Sequence, residues 1–159
     1  MNYKDAATAL IAIFICHLAG IIGSVFTASS VTTWYPTLVK PEFNPPGWVF
    51  GPVWLTLYTL MGISVYLVWK KKDKYNVTPA LLVFFAQLVL NAVWSIIFFG
   101  LQSPFYAFII IAFLWVLILG SIYFFYKISK TAAYLLIPYI LWVSFAAILN
   151  YSIWMLNPA

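Results

Sequence analysis

Residues 104–127 read PFYAFIIIAFLWVLILGSIYFFYK: a proline, then an apolar and aromatic run that meets no Asp, Glu, Lys or Arg before Lys127. A helix needs about 20 such residues to cross about 30 Å of hydrocarbon. The run is too long and too uniformly apolar for the in-out alternation of a membrane strand. A water-soluble fold would have to bury it on every face. The rest of the chain offers no polar exterior for that, since 65% of its residues are hydrophobic and 7% charged, against about a quarter charged in soluble domains. The reading is therefore a membrane-spanning helix.

Four further runs of the same kind flank it. The first extends from about Ala6 to Ala28 and is followed by a polar segment, Ser29 to Pro46. The second begins near Gly47 and ends at the Lys70–Lys74 cluster. Thr78 and Pro79 open the third, with proline in the first turn where its missing N–H costs nothing, and it ends near Gly100. Beyond Lys127 the fifth runs from about Thr131 to Leu156; Pro138 falls inside it and predicts a kink, which neighbouring helices in a membrane can accommodate. The expected fold is an all-α bundle of five transmembrane helices, one domain over residues 1–159.

Lysines set the orientation. With five spans, Lys4, Lys70, Lys71, Lys72, Lys74, Lys127 and Lys130 share one side and Lys40 alone takes the other. The positive-inside rule then predicts a cytosolic N-terminus. These clustered lysines speak to membrane topology, and no nucleic-acid partner is expected. A cleaved signal peptide is the rival reading of the first run, because Lys4 precedes it and Ala28-Ser29-Ser30 follows; its length favours a retained helix. Cys16 is the only cysteine, so no intrachain disulfide can form.

Chemistry concentrates between Trp34 and Trp54. Pro36, Pro41, Pro45 and Pro46 forbid a long helix and stiffen the connection between the first two spans. Trp34, Tyr35, Phe43 and Trp48 make it a candidate lid over the bundle, against the plainer reading of an interfacial aromatic belt. On the third run, Gln87, Asn91 and Trp94 stand at i, i+4 and i+7; on the fifth, Trp142, Ala146 and Asn150 stand at i, i+4 and i+8. Amides facing lipid are costly, so Gln87, Asn91 and Asn150 should face the interior. For Asn150 a helix-tying hydrogen bond is the preferred reading, and for Asn91, beside Trp94, a pocket. His17 has no second metal-type partner in sequence apart from the adjacent Cys16, which favours a hydrogen-bonded interior histidine over a haem ligand. Gly47/Gly51 and Ala19/Gly23 have the small-xxx-small spacing of helix contacts or a dimer seam.

Trp34-Tyr35, Lys40-Pro41, Asn44-Pro45-Pro46, Trp48-Val49-Phe50, Pro52-Val53-Trp54, Leu57-Tyr58 and Met61-Gly62 closely resemble the TspO/translocator-protein family, the tryptophan-rich sensory proteins or peripheral benzodiazepine receptors. Gln87-Leu88, Asn91, Trp94, Phe98-Phe99-Gly100, Pro138-Tyr139, Trp142, Phe145-Ala146 and Leu149-Asn150 continue the match in order along nearly the whole chain. The resemblance implies a five-helix bundle, commonly a homodimer, in a bacterial cell membrane. Beneath the first long loop it places a pocket for porphyrins such as protoporphyrin IX or haem, and for isoquinoline or benzodiazepine molecules. No cofactor is required. Residue by residue, it puts the ligand-binding positions at Tyr35, Trp54, Asn91, Trp94, Phe125, Trp142, Ala146 and Leu149. Phe125 stands where some relatives carry Trp. The family's sterol-recognition stretch is matched at Leu149 and Tyr151 but lacks its closing basic residue, with Met155 in that place.

Three functions are open at this stage. A receptor or carrier for flat hydrophobic ligands leads, because aromatic rings supply stacking surface. Light-dependent porphyrin degradation would use Trp54 and Trp142. A sensor acting through a partner protein is the third.

Overall fold

The computed structural model describes residues 3–158. Its helices are α1 (Tyr3–Val31), α2 (Gly47–Trp69), α3 (Thr78–Ser95), α4 (Pro104–Ile128), α5 (Lys130–Leu135) and α6 (Ile137–Leu156). A 3-10 turn, Tyr35–Thr37, lies in the first connection, and α3 continues as a π-helical turn, Ile96–Gly100. Taken with that turn, and with α5 and α6 as one span, they make five helices long and apolar enough to cross a membrane. The five-span reading therefore holds, and the described residues contain no strand. This is a multi-pass membrane protein.

Each helix boundary has a local cause. Pro79 and Pro104 sit in the first turns of α3 and α4, where they remove no helical hydrogen bond. The three residues between the π turn and α4 make a tight reversal, in which Gln102 adopts a left-handed φ of 52°. In the fifth span the helix breaks at Leu136, two residues before Pro138. Proline cannot continue the hydrogen-bond ladder, so the predicted kink becomes a separation of α5 from α6. Along α1, hydroxyls of Ser24, Thr27 and Ser29 donate to carbonyls three or four residues back, which lets polar side chains sit in an apolar setting.

The two ends of the bundle differ. At one end Lys70 Nζ lies 3.0 Å from Asp5, and Lys71 Nζ donates to the Ile128 carbonyl at 2.9 Å, joining the start of α1 and the ends of α2 and α4. The Asp5 carboxylate raises the Lys70 pKa. At the other end Ser30 Oγ donates to the Phe99 carbonyl, and Asn157 grips the first loop. Lysines thus gather at one end and the Trp/Pro-rich loop covers the other.

Close packing uses glycine at two crossings of α1 and α2. A Cβ at Gly62 would run into the Ile13 backbone, and one at Gly20 into the Tyr58 ring. Of the two small-residue pairs, Ala19 and Gly23 are buried, and a Cβ on Gly23 would come within 2.9 Å of Ser95. Gly47 and Gly51 meet no atom within 4 Å. Within the chain, the second pair is not a helix contact.

Candidate ligand-binding site

Beneath the first loop lies a cavity of about 400 Å³, within the size range of small-molecule sites. Its roof is Tyr35. Phe50 and Trp54 come from α2; Trp94, Phe98 and Phe99 from α3 and its π turn; Trp142, Ala146 and Leu149 from α6. Thr27 and Val31 of α1 complete the wall. Six of the eight sequence-predicted positions, Tyr35, Trp54, Trp94, Trp142, Ala146 and Leu149, are therefore brought together.

The roof is held by specific bonds. Tyr35 Oη donates to Asn44 Oδ1 at 2.9 Å, its ring rests on Phe98 and Phe99, and Lys40 Nζ stands 4.7 Å from the ring centroid. Burial raises the Tyr35 pKa, and the bond to Asn44 partly opposes it. Asn157 then clamps the loop to the end of α6: its Oδ1 accepts from Val39 N–H and its Nδ2 donates to the Val39 carbonyl, both at 2.9 Å.

Most polar groups around the cavity are already engaged. Trp94 Nε1 donates to Asn150 Oδ1 at 2.9 Å, and Asn150 Nδ2 donates to the Pro104 carbonyl at 2.8 Å. Asn150 thus ties α3, α4 and α6, as the sequence reading preferred, while also lining the cavity. Trp142 Nε1 is buried and has no partner. Its ring packs edge-on to Phe50 at 5.8 Å and tilted on Phe145 at 5.4 Å. The cavity is an aromatic box, and the buried Trp142 N–H is turned away from its open space.

Two predicted positions lie elsewhere. Asn91 is buried under the cavity floor and does not line it. Its Oδ1 accepts from Tyr58 Oη, its Nδ2 donates to Tyr139 Oη at 3.2 Å, and Tyr139 Oη donates on to Gln87 Oε1 at 2.8 Å. Facing the interior was correct for Asn91 and Gln87, but the amide of Asn91 is consumed by two tyrosines rather than offered to a ligand. Phe125 is fully buried and stacked on Phe84, 5.5 Å between centroids at 20°. It lies near the lysine end of α4, two residues before Lys127 and three before Ile128, so helix geometry places it far from the loop end. Both corrections concern depth along a helix, not which face is presented.

His17 Nε2 lies 3.1 Å from Thr59 Oγ1. The Thr59 hydroxyl proton is directed at the Leu55 carbonyl, so the histidine N–H donates to the threonine oxygen. The ring is an interhelical tie between α1 and α2, the reading favoured from its lack of partners.

Phe50, Tyr58, Phe98 and Phe99 are further wall residues, beyond those expected from sequence. Phe50 and Tyr58 stand one turn to either side of Trp54, so periodicity could have found them. The π turn has no such signal. It widens the helix by one residue, so that the consecutive Phe98 and Phe99 both face the cavity with Trp94.

A family model described as TspO/MBR family matches residues 12–155. The chain belongs to the TspO/MBR family. A tryptophan-rich protein TspO of Chlorobaculum tepidum is 42% identical over 159 residues, covering 98% of this chain and 99% of the relative. One of the same name from Archaeoglobus fulgidus is 45% identical over 93% of this chain and 96% of its own length. The human translocator protein is 39% identical over 84% of this chain and 80% of its own. The family resemblance and the described helices thus agree across the same span of sequence.

Proposed function

We propose that this chain is a membrane receptor or carrier that binds porphyrin-type tetrapyrroles and related flat hydrophobic molecules in the aromatic cavity. The observation that carries this reading is the cavity itself: aromatic rings on several sides and no charged residue among those lining it. Flat π systems stack on such walls. Relatives named translocator protein and tryptophan-rich sensory protein support a small-molecule role. Titration with protoporphyrin IX, read by quenching of tryptophan fluorescence in detergent, tests it. Trp142→Phe should weaken binding about 3- to 10-fold through lost stacking area. Ala146→Trp, which fills the cavity, should abolish it. Wild-type affinity in both variants would refute the assignment.

The photochemical reading uses the same site, because Trp54 and Trp142 both line it. Under that reading, light-dependent loss of bound protoporphyrin stops in Trp54→Phe while dark binding persists; an unchanged rate would rule it out. We also place the N-terminus in the cytosol of a bacterial cell, on the strength of seven lysines at one end of the bundle against Lys40 at the other. A phosphatase that works only outside the cytosol, fused after residue 158, should then be active.

A further inference from the structure

α1 and α2 touch closely over one half of their length and part over the other. At Gly62 and Gly20 there is no room for a methyl group against the opposing helix. Gly51 lies eleven residues from Gly62, about 16 Å along the helix, and neither it nor Gly47 has an atom within 4 Å of where its Cβ would be. Both glycines nonetheless line the cavity, as do Thr27 and Val31 across the gap on α1. The cavity is thus bordered on this side by two residues without side chains. The α2 surface next to these glycines is apolar, with Leu55 one turn beyond Gly51 63% exposed and Trp48 beside Gly47 77% exposed, and the Thr27 hydroxyl on the cavity wall is spent on the Gly23 carbonyl at 3.0 Å. The direct route from water, through the loop, is held shut by the Asn157 and Tyr35 bonds.

We infer that hydrophobic ligands enter and leave the cavity sideways, from the bilayer, through a window between α1 and α2 floored by Gly47 and Gly51. The absent side chains are what keep the window open, and the apolar rim selects molecules already dissolved in lipid. The inference rests on the ligand-binding reading above, and adds the route.

The test measures protoporphyrin IX release from protein in phosphatidylcholine vesicles after mixing with acceptor vesicles. Gly51→Leu should slow release at least about tenfold, because bulk in a doorway obstructs exit. If Gly51 only lined the site, bulk there would weaken binding and speed release, the opposite sign. Asn157→Ala, which unclamps the loop, should leave release unchanged; faster release would place the route through the loop and overturn the window. A second arm needs no ligand. In a Cys16→Ala background, Ala146→Cys should react faster with a pyrene maleimide dissolved in the bilayer than with a charged, impermeant maleimide, and adding Gly51→Leu should slow the lipid-borne reagent. Preference for the charged reagent would overturn the window. Failure of wild-type protein to bind protoporphyrin would refute the ligand reading alone, leaving the labelling arm to decide the route.

Discussion

Asn91→Leu separates a supporting role from a ligand-binding one. The substitution nearly conserves volume, so no large cavity forms, but it deletes the acceptor for Tyr58 Oη and the donor to Tyr139 Oη. Tyr139 keeps its bond to Gln87, whereas Tyr58 loses the acceptor of its hydroxyl proton in a nearly dry interior. Side-chain hydrogen bonds within membranes average about 0.6 kcal/mol and reach about 1.7, and an orphaned buried hydroxyl costs about 1–3 kcal/mol. The variant should therefore lose about 1–3 kcal/mol in reversible unfolding by SDS in mixed micelles, followed by circular dichroism. Removing the orphan with Tyr58→Phe should make the double variant less unstable than the sum of the two, with a coupling of about 1 kcal/mol. Protoporphyrin affinity should stay within about threefold of wild type, because no Asn91 atom reaches the cavity wall. Strict additivity would refute the network. An affinity loss as large as that of Trp142→Phe would put Asn91 back in the site.

Glycine positions should divide by what faces them. Gly62→Ala forces a methyl onto the Ile13 backbone and should cost about 1–3 kcal/mol in the same unfolding assay, as overpacked cores do. Gly51→Ala meets open space and should be neutral or stabilising by about 0.5–1 kcal/mol through helix propensity. Asn157→Ala should speed hydrogen exchange of the Val39 amide about tenfold, the equivalent of one lost hydrogen bond; unchanged exchange would show that the loop is held by its own aromatic packing.

Much of this architecture was legible in the amino-acid order. Uncharged runs set the spans, and the lysines sorted to one end because alternate connections share a side. Pro138 announced the break at Leu136. What periodicity could not supply was depth. Asn91 and Phe125 face inward as expected, yet Phe125 lies 21 residues beyond Pro104, about 31 Å from the loop end. Counting rise per residue would have removed it from the pocket. For Asn91 counting is not enough, since its partners Tyr58 and Tyr139 come from other helices whose relative heights no local pattern encodes. The π turn at Ile96–Gly100 was equally hidden: a regular 3.6-residue period turns Phe98 and Phe99 to different faces, and only the altered winding lets both line the cavity.

The walls of the cavity come from both extremes of the chain, Gly20 to Val31 at one and Trp142 to Ile153 at the other, and the loop is latched by residue 157. During synthesis the roof, α1 and α2 are made long before α6. A nascent chain that has inserted its first four spans has no wall on the α6 side, and so has no enclosed cavity. Under the proposed ligand-binding role, capture is a late event in biogenesis, and occupancy would stabilise only the finished bundle, by an amount that grows with the logarithm of ligand concentration.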